Sequence, residues 1–265
     1  MHNTTYHKAS SADEAVSLLS GAEDGAFLAG GQTLLPTMKQ RLAAPSDLVD
    51  ISGIDEMRGV CVSGSTVTIG AATKHAEVAA SAELRAVCPS LCDLASHIGD
   101  PAVRHMGTLG GSIANNDPAA DYPAAMLALG ATIKTDKREI AADDYFTGMF
   151  STALDDGEMI VSVSFEAPSK GAYAKFPNPA SRYAMCGVYV AHGADGVRVA
   201  VTGAGEDGVF RASDMEAALG ADFSTGALEG ISVSADGMLS DIHGDAAYRA
   251  NLVKVMAKRA VAAAG

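Results

Sequence analysis

The sequence predicts an α+β fold, and three observations carry that expectation. Pairs of alternating strands sit among helical stretches, strand and helix do not alternate regularly along the chain, and no segment recurs with a period of about 20–50 residues. An apolar fraction of 48% against 19% charged residues is globular composition, so 265 residues can bury more than one core.

The elements follow in order. Ser11-Ala12-Asp13-Glu14 is a capping-box pattern, and Ala15, Val16, Leu18 and Leu19 supply the apolar face of a first helix that Gly21 ends. Ala26-Phe27-Leu28-Ala29 reads as a short buried strand, and Asp47–Ile51 as a second one. Between them Leu34–Leu42 is expected to be helical, with Pro36 tolerable in its first turn and Lys39 and Arg41 toward its end. Residues 1–56 thus form a β-α-β-like unit.

A second unit, residues 57–168, opens on a hairpin across Gly59–Gly70, where two alternating stretches flank a Gly-containing turn. Helices are expected over Lys74–Ala80 and, as one element, Ala82–His97, with Leu84, Val87, Leu91 and Leu94 on one face. A helix at Pro123–Leu129 and strands at Ala131–Thr135 and Met159–Phe165 complete it. The third unit, residues 169–265, pairs strands Tyr183–His192 and Val197–Thr202 through Ala194-Asp195-Gly196. Ser213-Asp214-Met215-Glu216 reads as another capping box, and Ala246–Ala263 as a closing amphipathic helix.

Charge excludes one class of partner. Lys+Arg 19 against Asp+Glu 32 gives a net charge of −13, a surface that repels nucleic acid. An anionic ligand then needs a local site of backbone N–H groups or isolated basic residues. Met1–Tyr6 lacks the cationic and apolar stretches of a signal peptide, and no apolar run approaches the ~20 residues of a membrane helix. Cys61, Cys88, Cys92 and Cys186 form no C-x-x-C pattern and read as free thiols of a reducing, cytoplasmic compartment.

Two glycine-bearing segments carry the candidate chemistry. Ala29-Gly30-Gly31-Gln32-Thr33 lies between a strand and a helix, where glycines allow positive φ and close backbone approach to a ligand. Unpaired N–H groups at the following helix start would favour an anion. One such pair also reads as an ordinary tight turn. The second segment, Thr108-Leu109-Gly110-Gly111-Ser112, again sets glycines beside hydroxyls, with Asn115, Asn116, Asp117 and Asp121 close behind. Together they suit a dinucleotide pyrophosphate, with Asp121 on a sugar or ribityl hydroxyl rather than on phosphate; spacing does not say which dinucleotide.

Gly203-Ala204-Gly205-Glu206-Asp207-Gly208 matches G-x-G-x-x-G, yet two carboxylates would face the phosphates and the next helical signal waits until Ser213, so it reads as a loop. His75, His97 and His105 lack metal-ligand spacing and read as core or surface imidazoles. Ser112 is not in a nucleophile elbow. The chain reads as a cofactor holder whose chemistry belongs to the cofactor.

These segments resemble the flavoprotein (medium) subunit family of carbon monoxide dehydrogenase and xanthine dehydrogenase, the molybdenum hydroxylases. The resemblance rests on Ala29-Gly30-Gly31-Gln32-Thr33-Leu34-Leu35-Pro36, Gly99–Gly107, Thr108–Ala114 with Asp117–Asp121, and Lys175-Phe176 with Ala180–Ala184. It implies a two-part FAD-binding fold of the PCMH/vanillyl-alcohol-oxidase-like type, followed by a small C-terminal α+β domain with a three-stranded antiparallel sheet. It implies FAD here, with the molybdenum cofactor on a large partner subunit and two 2Fe-2S clusters on a small one. A dimer of heterotrimers is expected, passing electrons to an external acceptor, in the cytoplasm or at the inner face of the membrane.

Carried over residue by residue, Phe27, Leu28, Ala29, Gly30, Gly31, Gln32, Thr33 and Leu34 would wrap the pyrophosphate. Thr108, Leu109, Gly110, Gly111 and Ser112 would complete the cradle, and Asp121 would bind a ribose or ribityl hydroxyl. Ile160 would sit beside the isoalloxazine and Lys175 would hydrogen-bond to the ring or its surroundings. Tyr183 is a further aromatic candidate, and Ile98 stands where xanthine dehydrogenase has an aromatic. Two other readings are a stand-alone covalent-FAD oxidoreductase, disfavoured because Phe27–Leu42 holds no His or Cys, and a scaffold that has lost its cofactor.

Overall fold

The structure, a computed structural model, describes residues 1–264. Strand β1 (Thr5–Lys8), helix α1 (Ala12–Ser20), strand β2 (Gly25–Leu28), helix α2 (Leu34–Lys39) and strand β3 (Asp47–Asp50) build a first parallel sheet in the order β1-β3-β2. Ser11 caps α1 by accepting from the Glu14 N–H, while the Glu14 carboxylate returns to Ser10 rather than to Ser11. The strand expected to be buried, β2, is only half-buried, because it is an edge strand whose Phe27 and Leu28 open onto a cleft. β1 escapes the sequence pattern because Thr5-Tyr6-His7-Lys8 is polar on both faces.

The second unit carries β4 (Val60–Ser63), β5 (Thr66–Gly70), α3 (His75–Ala80), α4 (Ala82–Val87), α5 (Pro89–Ser96), α6 (Pro101–Arg104), α7 (Leu109–Asn115) and α8 (Tyr122–Ala128). It continues with β6 (Thr132–Thr135), β7 (Glu139–Ala141), α9 (Ala142–Tyr145), a ribbon of β8 (Phe146–Gly148) and β9 (Ser151–Thr152), and β10 (Ile160–Glu166). Its antiparallel sheet runs β4-β5-β10-β6-β7, so β10 returns from the end of the unit to lie at the centre. The single helix expected over Ala82–His97 is two. Pro89 forces Cys88 out of helical geometry, to φ −144° and ψ 67°, and then starts α5 at its first position.

The third unit is a sheet of four strands, not three: β11 (Lys170–Pro177), β12 (Ala184–Gly193), β13 (Gly196–Gly205) and β14 (Gly208–Arg211), all antiparallel in chain order. The added strand comes from the G-x-G-x-x-G stretch, whose Glu206-Asp207 is a hairpin turn between β13 and β14. Gly203, at φ +80°, packs so tightly that a Cβ there would lie 2.3 Å from the Ala184 carbonyl oxygen, so that glycine serves the sheet. Helices α10 (Ser213–Ala221) and α11 (Ala246–Ala264) follow. The second capping box does not form: α10 is capped by Ala212, and Glu216 instead accepts from the Val199 N–H and the Arg211 guanidinium, tying the helix to β13.

One apolar core joins the first two units and takes in Tyr189, Ala191 and Ala200 of the C-terminal sheet; a second lies between that sheet and α10 and α11. Helix α8 is buried at every position, inside the first core and packed against β12 and β13. It brings Asp121, one residue before its start, under the cleft.

Candidate functional site

The cleft between the parallel sheet and the second unit has a volume of about 590 Å³, within the range of pockets that bury a cofactor. Phe27, Leu28, Ala29, Gly30, Gly31, Gln32, Thr33 and Leu34 line one wall; Thr108, Gly110, Gly111 and Ser112 line another, and Asp121 and Ile160 lie on the wall as well. Leu109 is fully buried behind it, and Lys175 reaches the site only through Asp121. Backbone touches backbone where the first segment meets the residues leading into the second: a Cβ on Gly30 would lie 2.3 Å from the Met106 carbonyl oxygen.

The two segments work differently. In the first, Gly31 takes φ +66°, and the N–H groups of Gly30, Gly31, Gln32, Thr33 and Leu34 donate to no acceptor among the described residues. A run of bare amides around one left-handed residue is the geometry that concentrates positive potential on an anion. The second segment is not a loop but the cap and first turn of α7. Its amides are already used: Leu109 N–H donates to the Thr73 carbonyl (3.0 Å), Gly110 N–H to Ala71 (2.8 Å), and Gly111 N–H to the Thr108 hydroxyl oxygen (3.2 Å). What this wall offers a ligand is the Thr108 and Ser112 hydroxyls and space. Gly110 is a packing glycine, since a Cβ there would lie 2.5 Å from the Ala71 Cβ, whereas Gly111 is exposed to the cleft.

Asp121 is 4% exposed and both its oxygens have protein partners. Tyr173 donates to Oδ1 at 2.5 Å, and the Lys175 ammonium lies 2.9 Å from Oδ1 and 3.0 Å from Oδ2 while also donating to the His97 carbonyl. Complete burial pushes the Asp121 carboxyl above its ordinary value, with Lys175 and the Tyr173 hydroxyl pulling it back down. Tyr173 and Lys175 lie two apart on β11, which puts both on one face of the strand.

Opposite, Glu158 is held down to about 2 by the Arg138 guanidinium, with further hydrogen bonds from the Asp155 N–H and the Thr135 hydroxyl. Tyr183, 49% exposed, and Ile98 both lie on the wall, as does Arg182. His75 and Glu158 also line the cleft, and neither lies in the glycine segments or in the stretches that carry the resemblance. Spacing alone places His75 in no site; the contact that does, its backbone N–H on the Gly107 carbonyl at 3.0 Å, joins residues far apart in sequence.

The family profile described as "FAD binding domain in molybdopterin dehydrogenase" matches residues 2–168. The carbon monoxide dehydrogenase medium chain of Hydrogenophaga pseudoflava is 35% identical, over 98% of this chain and 96% of the relative. The chain belongs to this family. Another member, the nicotine 6-hydroxylase medium subunit of Paenarthrobacter nicotinovorans, is 34% identical over 98% of this chain and 96% of its own length. A solved carbon monoxide dehydrogenase from Hydrogenophaga pseudoflava superposes with a TM-score of 0.90 at 35% identity, covering 99% of this chain and 97% of that one. Family membership settles the α+β fold, the FAD class of the cofactor and the role of an oxidoreductase component, against the covalent-FAD and cofactor-free alternatives. No described helix is long and apolar enough to cross a membrane.

Proposed function

We propose that this chain is the FAD-carrying medium subunit of a molybdenum hydroxylase, receiving electrons from 2Fe-2S clusters on a small subunit and delivering them to an external acceptor. The single observation that carries the reading is the run of five bare amides, Gly30–Leu34, facing the hydroxyl-bearing start of α7 across a cleft of about 590 Å³. That donor set suits a pyrophosphate in a chain of net charge −13, because it needs no cationic side chain. FAD held there supplies reversible two-electron chemistry.

The residues of the chain bind and orient. Phe27–Leu34 wrap the pyrophosphate; Thr108 and Ser112 donate hydroxyls; Gly111 leaves room and Leu109 and Gly110 hold α7 in place. Asp121 accepts from a ribose or ribityl hydroxyl, and Lys175 acts through Asp121 by fixing its carboxylate. Ile160, Ile98 and Tyr183 cover the ring end and keep water from it. The chain divides into 1–56, 57–168 and 169–265, the first two forming the FAD domain.

The assembly is a dimer of heterotrimers with a large molybdenum subunit, in the cytoplasm or at the inner face of the membrane; the relatives' rank as medium chains supports the partner subunits, and the four free thiols support the reducing compartment. Relatives are named for carbon monoxide and for nicotine, so the substrate is chosen on the large subunit, not in this cleft. Purified chain reconstituted with FAD should retain yellow flavin absorbance that dithionite bleaches and acid denaturation releases. Failure to retain flavin under any condition, partner subunits included, would sink the reading.

A further inference from the structure

His75 lines the cleft, yet it has no part in the site as proposed above. Its side chain is 95% buried (5% exposed), and its Nδ1 is buried with no hydrogen-bond partner. The ring is strapped under the second glycine segment. The backbone N–H of His75 donates to the Gly107 carbonyl, Lys74 and Thr108 form an antiparallel bridge, and a Cβ on Gly107 would lie 2.6 Å from the imidazole Nε2. Gly107 is therefore a glycine so that the Nε2 edge can lie there. On the other side Tyr122, whose hydroxyl is also buried without a partner, packs against the ring at 5.4 Å between centroids.

The protonation state follows from these surroundings. Burial, and to a lesser extent the Arg104 charge, holds the imidazole down to about 4, so it is neutral near pH 7 and carries one proton. An unpartnered buried N–H is costlier and rarer than an unpartnered lone pair, which places the proton on Nε2 and the lone pair on the enclosed Nδ1. Among the described residues Arg182 is the one cation on the cleft wall, against Asp117, Asp121 and Glu158. An anionic ligand in this cleft must therefore draw most of its hydrogen bonds from neutral donors.

We propose that His75 is a cofactor-contacting residue: its Nε2–H, beside Gly107 and Thr108, is a neutral hydrogen-bond donor to the anionic part of the dinucleotide. The proposal rests on the reading of the cleft as the FAD site. It explains why a polar ring is kept where its inner nitrogen finds no partner.

The test uses the full chain and measures FAD affinity by quenching of flavin fluorescence, with thermal melting of the FAD-free protein alongside. His75→Phe keeps a ring and removes the orphaned nitrogen. It should melt at or above the wild-type temperature while binding FAD roughly tenfold or more weakly, the loss expected for one hydrogen bond to a charged group. His75→Gln, whose amide nitrogen can take the Nε2 position, should bind within about threefold of wild type. In ¹⁵N-labelled protein the Nε2 resonance of His75 should stay protonated and shift when FAD is added.

Wild-type affinity in a folded His75→Phe protein overturns the proposal. So does an Nε2 resonance unmoved by FAD, a readout that holds even where a variant fails to fold. A wild-type chain that binds no FAD even with its partner subunits present removes the site reading itself, and this proposal with it.

Discussion

Gly110 and Gly111 are neighbours in one helical turn, and the structure predicts opposite consequences for the same added methyl group. In Gly110→Ala the methyl would sit 2.5 Å from the Ala71 Cβ and 2.8 Å from the Ala71 carbonyl oxygen, so α7 must back away from the segment after β5. Overpacking of this kind costs about 1–3 kcal/mol, offset by up to about 1 kcal/mol from the better helix propensity of alanine. The net is a loss of about 1–2 kcal/mol, or roughly 5 °C in melting temperature for a chain of this size. In Gly111→Ala the only contact under 4 Å is the Thr108 hydroxyl at 2.9 Å, and the residue faces the cleft. That hydroxyl caps α7, so its displacement costs about 1 kcal/mol, which the better helix propensity of alanine offsets. The variant should melt close to the wild-type temperature while FAD affinity falls about tenfold, or 1.4 kcal/mol; Gly111→Val should abolish binding. Thermal melting without FAD and a flavin titration read both effects. Wild-type affinity in Gly111→Ala would show that the second segment does not approach the ligand, and an unchanged melting point in Gly110→Ala would refute the packing argument.

Lys175→Met should destabilise the fold by about 3 kcal/mol in urea denaturation, because it strands the buried Asp121 carboxylate, and the double variant with Asp121→Asn should recover most of the loss. Glu158→Gln removes a carboxylate whose folded value is depressed to about 2 from an ordinary 4.5. Its contribution, about 2–3 kcal/mol with allowance for the half-exposed Arg138, should be complete above pH 4.5 and vanish as pH falls toward 2. Urea midpoints of both proteins across that window should therefore converge at the acid end; parallel curves would disprove the assignment. Asn116→Ala, at φ +42°, loses two hydrogen bonds to the Gly148 and Ser151 carbonyls and should cost about 2–3 kcal/mol. Hydrogen exchange confined to residues 146–152 should rise; unchanged protection there would count against the pinning.

Much of the fold is written in local pattern. The hairpin across Gly59–Gly70, helix α11 and the two glycine segments all follow from periodicity or turn chemistry, which are properties of neighbours in sequence. What escapes is set by contacts between distant residues. Strand β1 has no apolar face of its own and exists because β3 pairs with it. Strand β14 hides inside a motif better known for dinucleotide turns, and only its pairing with β13 shows what the glycines do. At the site, sequence finds which residues gather but not how each is used. The amides of Gly110 and Gly111 look available in one dimension and are taken in three, by Ala71 and Thr108. Sequence sets Asp121 and Lys175 side by side as cofactor contacts; in three dimensions Asp121 lines the cleft, while Lys175 stands behind it and pairs with its carboxylate.

That pairing also fixes where the protein can be cut. The family profile stops at residue 168, which invites a shortened chain carrying the flavin half alone. Such a fragment would lack β11, and with it both the ammonium that neutralises Asp121 and the phenol that donates to it at the bottom of the cleft. It would also bare the flank of α8, whose seven positions are all covered in the whole protein. Recombining flavin halves and C-terminal halves between relatives therefore demands that residues 121, 173 and 175 travel together, as a lock and its key would.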